Sequence, residues 1–401
     1  MAKRTTKNRA RRAEVKGKRR TTNTDRATNN ETANLPELET LSELPTFDML
    51  TPRSEQLEAY EAYVKEVIER EGSAEELSLG CVVRLDRGFP AIITEDAVFR
   101  AEFAARLTKG DFSRVAVGDW VCVREPVGHD MGVVEKILPR TSDIARWKGG
   151  SRGEKQTLAA NVDVVFVVQA IEEWRLSASR VARSAVVACD CGARVATILT
   201  KADTASFETI AKSVNMIHEV LGKDSPVVVT ASMDPDDEEG LRRAAEEAGA
   251  TYGIDGVRAL VPEGTVAIML GPSGVGKSTL LNALLGHEAL ETGAVREADG
   301  AGRHTTVARR MVAIPDAGII VDEPGLRTLQ LVGHERGMSK VFPDITEAAS
   351  QCRFRDCTHT HEPGCMVLKT FSPDSDRLSI YLSLAQEMRS SAQTLDPDIV
   401  L

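Results

Sequence analysis

The sequence predicts a multi-domain chain: an N-terminal OB-type β-barrel, a central α/β domain with a phosphate-binding loop, and a C-terminal helical domain built around a metal. Three observations carry this. Between about residues 79 and 144, five brief apolar runs are separated by Gly, Pro or Asp, as the short strands of a small closed barrel require. From about residue 162 the apolar runs become near-continuous and alternate with helical patterns, as in a doubly wound parallel sheet buried on both faces. Three of the seven cysteines crowd into Cys352–Cys365; in a reducing compartment that pattern points to metal rather than disulfides.

The 401 residues suffice for two or three domains, and 42% hydrophobic residues suffice for real cores. Aromatic residues at 4% argue against long base-stacking platforms. No apolar run approaches the roughly 20 residues of a spanning helix, and none follows the basic N-terminus as a secretory signal would. A cytoplasmic protein with no membrane association is expected. Residues 1–20 carry ten Lys or Arg and one Glu, on a chain of net charge −10. Such a tail suits a polyanion such as nucleic acid, and equally a solvated disordered arm.

In chain order, residues 1–52 lack apolar periodicity and are expected to be a disordered basic tail. Within 53–77, SEQLEAYEAYVKEVIEREG has helical spacing, a Ser N-cap at Ser54 and a Gly stop at Gly72. The barrel spans 78–147, with strands GCVVRL, PAIIT, AVFRAEF, DWVCVRE and GVVEKIL. The Gly-containing, basic stretch 145–161 reads as a linker or mobile loop. The α/β domain spans 148–332, with strands VDVVFVVQAI, RVATILT, PVVVTAS, TVAIML and AGIIVD. Residues 333–401 form helices around the Cys/His cluster, followed by a C-terminal tail.

The run TVAIML leads into Gly271-Pro272-Ser273-Gly274-Val275-Gly276-Lys277-Ser278-Thr279 and then an apolar helix. This strand–GxxxxGK[ST]–helix unit cradles phosphates with backbone N–H groups. Lys277 reaches the β- and γ-phosphates, and Ser278 binds Mg²⁺. Downstream, Asp322 ends an apolar strand and suits the magnesium shell, and Gly325 offers its N–H to a γ-phosphate. Between them, Gly302-Arg303-His304-Thr305-Thr306 has the character of a switch loop, with Thr305 as a metal and phosphate sensor; as a short motif it also fits a plain surface turn.

The base is read elsewhere. An ATP-binding cassette would place a helical subdomain and an LSGGQ-like signature between the loop and Asp322, and neither is present. Thr200-Lys201-Ala202-Asp203 follows the strand RVATILT. An Asp there accepts from guanine N1–H and the 2-amino group; adenine has neither donor and would leave the carboxylate unpaired. The Lys201 stem suits the base plane, and TAS at 230–232 suits backbone support of the base. The order is guanine reader, base support, phosphate loop, switch loop, Asp-x-Pro-Gly, a circular permutation of the ordinary GTPase order.

Cys352, Cys357 and Cys365 offer three thiolates, and either His359 or His361 the fourth ligand that Zn²⁺ wants. Together with the barrel, AANVD at 159–163, the permuted order and GRHTT, the CxxxxCxHxxEPGC pattern resembles the ribosome small-subunit-dependent GTPase A (RsgA/YjeQ) family over about residues 79–390. That resemblance implies a GTPase bound to and stimulated by the small (30S) ribosomal subunit and its rRNA. It implies action late in maturation of that subunit, GTP and GDP as nucleotides, Mg²⁺ with GTP, and one zinc per chain held with His359 rather than His361. A monomer is expected. Two departures stand out: Glu323 replaces the usual Thr of Asp-x-Pro-Gly, and Thr200 replaces the usual Asn. Losing that Asn is expected to remove a tether between base loop and phosphate loop. With Leu326 where a water-orienting Gln might stand, His304 is the favoured water-orienting residue beside Lys277, and Glu323 the alternative. An ATPase with a degenerate base site, or a non-catalytic GTP-dependent rRNA-binding factor, are the competing readings.

Overall fold

The computed structural model describes residues 43–395 except 87–88, 109–114, 126–130, 149–153, 173–175, 232–234, 290–308 and 323–330. Most of the expected basic tail, residues 1–42, and the predicted site residues His304, Thr305 and Gly325 lie outside the described residues, as does Glu323.

Strands β1 (Leu77–Asp86), β2 (Phe89–Ile93), β3 (Val98–Phe103), β4 (Trp120–Arg124) and β5 (Gly132–Ile137) match the five short runs. They close in the order β1-β2-β3-β5-β4 with β1 pairing again with β4. The β3–β5 pair is parallel and the others antiparallel. A bulge between Val82 and Arg84 bends β1, which pairs with both neighbours. Val82, Ile92, Ala101, Val121, Val123 and Val134 fill the interior.

Helix α1 (Ser54–Glu71) packs on this barrel. Its Val67 is fully buried, the Tyr63 hydroxyl donates to Glu135 at 2.8 Å, and Tyr60 donates to the Leu77 carbonyl at 3.1 Å. The cap differs from expectation. Arg53 is the N-cap, its N–H donating to the Gln56 side chain at 2.8 Å, and Ser54 is the first helical residue. Gly72 ends the helix at φ +84°, a left-handed turn that glycine adopts without strain. The expectation of a disordered tail fails for residues 43–52, since Leu50 is buried and Phe47 packs edge-on against Trp120.

The stretch 145–161 is not a linker. Strands β6 (Asp143–Lys148) and β7 (Glu154–Ala160) form an antiparallel hairpin. Its Gly and charged residues hid a pairing in which Ile144, Leu158 and Ala159 are fully buried.

The α/β domain runs β8 (Val164–Ala170), α2 (Ala178–Asp190), β9 (Arg194–Thr200), α3 (Phe207–Leu221), β10 (Val227–Val229), α4 (Glu238–Glu247), β11 (Thr251–Tyr252), α5 (Ile254–Ala259), β12 (Val266–Leu270), α6 (Lys277–Leu285), β13 (Arg309–Ala313) and β14 (Ile319–Asp322). The strand order is β11-β10-β9-β8-β12-β14-β13. All neighbours are parallel except β13, which runs antiparallel to β14. Strands β11 and β13 were not foreseen, the first being two residues long and the second opening on two arginines. Strand β13 also pairs with β1 (Arg84↔Arg310, Leu85↔Arg309), so the barrel continues the sheet.

Helices α7 (Glu335–Val341), α8 (Pro343–Ser350), α9 (Met366–Thr370) and α10 (Asp376–Leu395) follow. At Gly337, α7 approaches α2 so closely that a Cβ would meet the Val186 carbonyl oxygen at 2.0 Å. The Gly337 N–H donates to Asp190 at 2.9 Å, and the Lys340 ammonium donates to the Cys189 carbonyl at 2.9 Å. Among the described residues no helix is long and apolar enough to cross a membrane.

Candidate nucleotide site and metal centre

Because strands β11, β10, β9, β8, β12 and β14 are parallel, their C-terminal ends lie on one edge of the sheet, where open α/β folds bind ligands. The segments singled out from sequence converge there. The phosphate loop connects β12 to α6, Thr200 ends β9 and Lys201–Asp203 follow it, Thr230 follows β10, and Asp322 ends β14. Because Ile268 pairs with Val321, Asp322 leaves the sheet beside the strand that feeds the loop.

The loop's glycines have specific reasons. A Cβ on Gly271 would stand 2.4 Å from the Val168 carbonyl oxygen of β8. Gly274 and Gly276 sit at φ +78° and +95°, conformations that turn successive N–H groups toward one point. Val275 is buried in the main core and pins the loop. Pro272 and Ser278 are half-buried, and Ser273 and Thr279 are exposed. The Lys277 ammonium donates to the Gly271 and Pro272 carbonyls at 2.7 and 2.9 Å, holding the side chain along the loop.

The base loop corrects one expectation. Thr200 does not lose the tether: its buried hydroxyl donates to the Val275 carbonyl of the phosphate loop at 2.5 Å, with the Gln169 carbonyl at 3.3 Å. Lys201 takes a left-handed conformation, φ +61°, and its ammonium pairs with Glu172 at 2.7 Å. Glu172 was not singled out from sequence. The Ala202 N–H donates to the Thr230 carbonyl at 3.1 Å, and the Thr230 N–H to the Leu199 carbonyl at 2.7 Å, so the base loop and its support are tied to each other. Asp203 is exposed on the short turn Ala202–Thr204. Ser232 lies outside the described residues.

Cys352, Cys357, His359 and Cys365 gather with their ligand atoms within 4.8 Å of one another. His359 Nδ1 lies 3.6 Å from Cys352 Sγ and 3.5 Å from Cys365 Sγ, and the two sulfurs are 3.9 Å apart. A tetrahedral zinc with its usual bond lengths has ligand–ligand edges of about 3.5–3.8 Å. The Cys352, His359 and Cys365 edges match that tetrahedron, and Cys357 Sγ lies within 4.8 Å of them as the fourth corner, so the four residues fit zinc. Backbone N–H groups of Met366 and Leu368 donate to Cys352 and Cys365 sulfurs at 3.3 and 3.5 Å, as thiolates require. Burial works to raise the Cys352 thiol, but N–H donation from Val367 and Met366 outweighs it and holds the pKa below the ordinary thiol value. Burial pushes Cys357 up to about 12 and lowers His359, favouring the neutral imidazole that ligates metals. His361 is exposed and bonded to Thr360, outside the cluster.

Glu362 was legible from sequence only as part of a pattern. The Thr358 hydroxyl and the N–H groups of Thr358 (2.8 Å), Thr360 (3.1 Å) and His361 (3.2 Å) all donate to its carboxylate. Those donors, the Thr358 hydroxyl foremost, hold its carboxyl far below the usual range. The side chain thus shapes the turn in which His359 adopts φ +59°.

Comparison with known proteins agrees with this geometry. Residues 137–332 match the family described as RsgA GTPase. The small ribosomal subunit biogenesis GTPase RsgA of Streptomyces coelicolor is 40% identical over 321 residues, covering 79% of this chain and 81% of that protein. The protein of the same description from Leptospira interrogans is 31% identical over 329 residues, covering 81% and 86%. Among solved structures, YjeQ from Thermotoga maritima superposes with a TM-score of 0.54 at 21% identity, covering 78% of this chain and 99% of that one. YloQ, described as a circularly permuted GTPase, gives 0.53 at 20% identity, covering 79% and 96%. These two likenesses establish the fold, and the sequence relatives establish the family: the chain belongs to the RsgA GTPases.

Proposed function

We propose that the protein hydrolyses GTP to GDP and phosphate during maturation of the small (30S) ribosomal subunit, which it binds through rRNA and which stimulates its turnover. The observation that carries this is the convergence of base loop, base support, phosphate loop and Asp322 on one sheet edge, cross-tied by the Thr200–Val275 and Ala202–Thr230 hydrogen bonds. The name of the relatives, small ribosomal subunit biogenesis GTPase, supplies the ribosomal context.

In this reading the barrel, on its strand order and parallel β3–β5 pair, is an OB-fold within residues 78–147. The GTPase domain spans 148–332, the zinc-binding helical domain 333–401, and the protein is a cytoplasmic monomer. Gly271–Thr279 cradle the phosphates with backbone N–H groups, and the Lys277 ammonium leaves the loop carbonyls to meet the β- and γ-oxygens. Asp203 selects guanine. Lys201 exchanges or shares its Glu172 contact as its stem lies along the base. Ser278, Thr305 and Asp322 hold the Mg²⁺, which when bound neutralises charge developing on the phosphate oxygens. Gly325 offers its N–H to the γ-phosphate, and His304 orients the attacking water. Cys352, Cys357, His359 and Cys365 hold one zinc that ties the C-terminal turn together.

The test is hydrolysis of GTP and of ATP, each with and without small subunits. GTP-selective turnover that rises with subunits supports the reading; equal use of ATP, or no hydrolysis, overturns it.

A further inference from the structure

We propose that residues 43–56 form a strap that fixes the barrel to the nucleotide-bearing sheet and transmits subunit contact to the nucleotide site, with Glu43 as its positioning residue. This rests on the reading above in which the small subunit stimulates turnover.

The strap has three anchors. At its start, the Glu43 carbonyl accepts from the Ala313 N–H at 2.8 Å. The Glu43 carboxylate lies 3.3 Å from Arg310 Nη1 and 3.8 Å from His287 Nε2. Arg310 is the cross-strand partner of Asp322, and His287 closely follows α6, the helix that begins at Lys277. Through Arg310 the Glu43 carboxylate reaches the strand position paired with Asp322, while Ala313, paired with Ile319, and His287, beyond the C-terminal end of α6, anchor it away from Lys277 and Asp322. In the middle, Phe47 stands edge-on to Trp120, the first residue of β4, at 5.8 Å between ring centroids. At its end, Arg53 pairs with Asp163 at 2.5 Å, and the other Asp163 oxygen accepts from the N–H of Val266 at 2.9 Å. Val266 begins β12, which runs into the phosphate loop. Gln56, 1% exposed, donates to Asn161 Oδ1 at 2.9 Å and to the Pro139 carbonyl at 3.1 Å. The Asn161 amide in turn donates to the Gly118 carbonyl at 2.8 Å.

Among the described residues, direct strand pairing between the barrel and the sheet is confined to Arg84↔Arg310 and Leu85↔Arg309. Two residue pairs are a short junction that leaves most of the link to other elements. The strap bridges that junction with a buried amide network, an aromatic contact and a half-buried ion pair, reaching both β12 and β13. A perturbation of the barrel can bias the nucleotide site only through elements that contact both, and the strap is such an element.

The test is a charge exchange in the full-length protein: E43R, R310E, and the double variant E43R/R310E. Three readouts are followed: basal GTP turnover, subunit-stimulated turnover, and amide hydrogen exchange at Ala313. E43R is expected to keep basal turnover within about twofold and to lose about 10-fold in stimulation, an ordinary size for coupling between sites. It should also exchange faster at Ala313, and the double variant should recover both properties. Unchanged stimulation and exchange in E43R overturns the strap, and so does a basal rate that falls in step with the stimulated one. Failure of the double variant to recover also overturns it. If subunits do not stimulate the unaltered protein, the functional reading and the transmission fall together, while Ala313 exchange still decides whether Glu43 anchors β13.

Discussion

Replacing Thr200 by valine tests the link between base loop and phosphate loop. The hydroxyl is 5% exposed by residue and has one proton, which goes to the nearer acceptor, the Val275 carbonyl at 2.5 Å. Valine keeps the side-chain shape, so the change deletes the bond and leaves that carbonyl facing a methyl group. A hydrogen bond of this kind contributes about 0.5–1.5 kcal/mol net, and an unpaired buried acceptor costs about 1–3 kcal/mol. If about 1 kcal/mol of that falls on loop order, GTP and GDP bind about 5-fold more weakly, since 1.4 kcal/mol is tenfold. Both nucleotides weaken alike, because the tether touches the loop backbone and not the base edge or the γ-phosphate. Serine keeps the donor, so T200S should bind close to the unaltered protein. Calorimetric titration of the protein, T200V and T200S with GDP and a non-hydrolysable GTP analogue measures this. T200V binding both nucleotides with undiminished affinity, or T200S binding as weakly as T200V, refutes the tether.

Zinc analysis should find one atom per chain, lost in H359A and retained in H361A; the reverse pattern would move the fourth ligand to His361. Asp203→Asn should weaken GTP and gain xanthosine triphosphate, since the amide can donate to the xanthine 2-oxygen; no gain would take Asp203 out of the base site. Gly337→Ala places a methyl group where the Val186 carbonyl already lies 2.0 Å away, so α7 must shift. A loss of about 1–3 kcal/mol in unfolding free energy is expected, and an unchanged denaturation midpoint contradicts the close approach. His304→Ala should lower subunit-stimulated turnover about 10²-fold with nucleotide binding intact; full activity there, with loss in E323Q, transfers water orientation to Glu323.

Where function rests on local chemistry, the residues could be read directly. The phosphate loop needs Gly at fixed offsets and Lys at its end. The zinc cluster needs four soft ligands in a short stretch, and buried parallel strands need unbroken apolar runs. Each requirement is written in consecutive residues. What escaped sequence reading depends on partners distant in the chain. Strand β13 opens on Arg309 and Arg310, a poor strand signal, yet Arg310 is neutralised by Glu43, far away in the chain. The β6–β7 hairpin reads as a linker because its composition is basic and glycine-rich, while its register is set by a fully buried side where Ile144 pairs with Ala159. Ser54 is a reasonable cap by type, but Gln56 is held by Asn161 and so presents its oxygen to Arg53 instead.

Thr200 shows the limit most clearly. A rule about residue type says that replacing Asn removes the tether. The outcome depends instead on where the Val275 carbonyl lies, and a Cβ on the next residue, left-handed Gly276, would sit 3.6 Å from the Thr200 hydroxyl. At that range a hydroxyl on a short side chain suffices. The same logic gives AANVD a physical reason. Asn161 sits at φ +56°, accepts from Gln56 and Thr141, and donates to the Gly118 carbonyl of the barrel. Asp163 accepts from Arg53 and from the first N–H of β12. A motif that sequence offers only as a signature is the place where barrel, N-terminal helix and phosphate-loop strand share hydrogen bonds. Substitutions there should therefore disturb the junction before they disturb either domain.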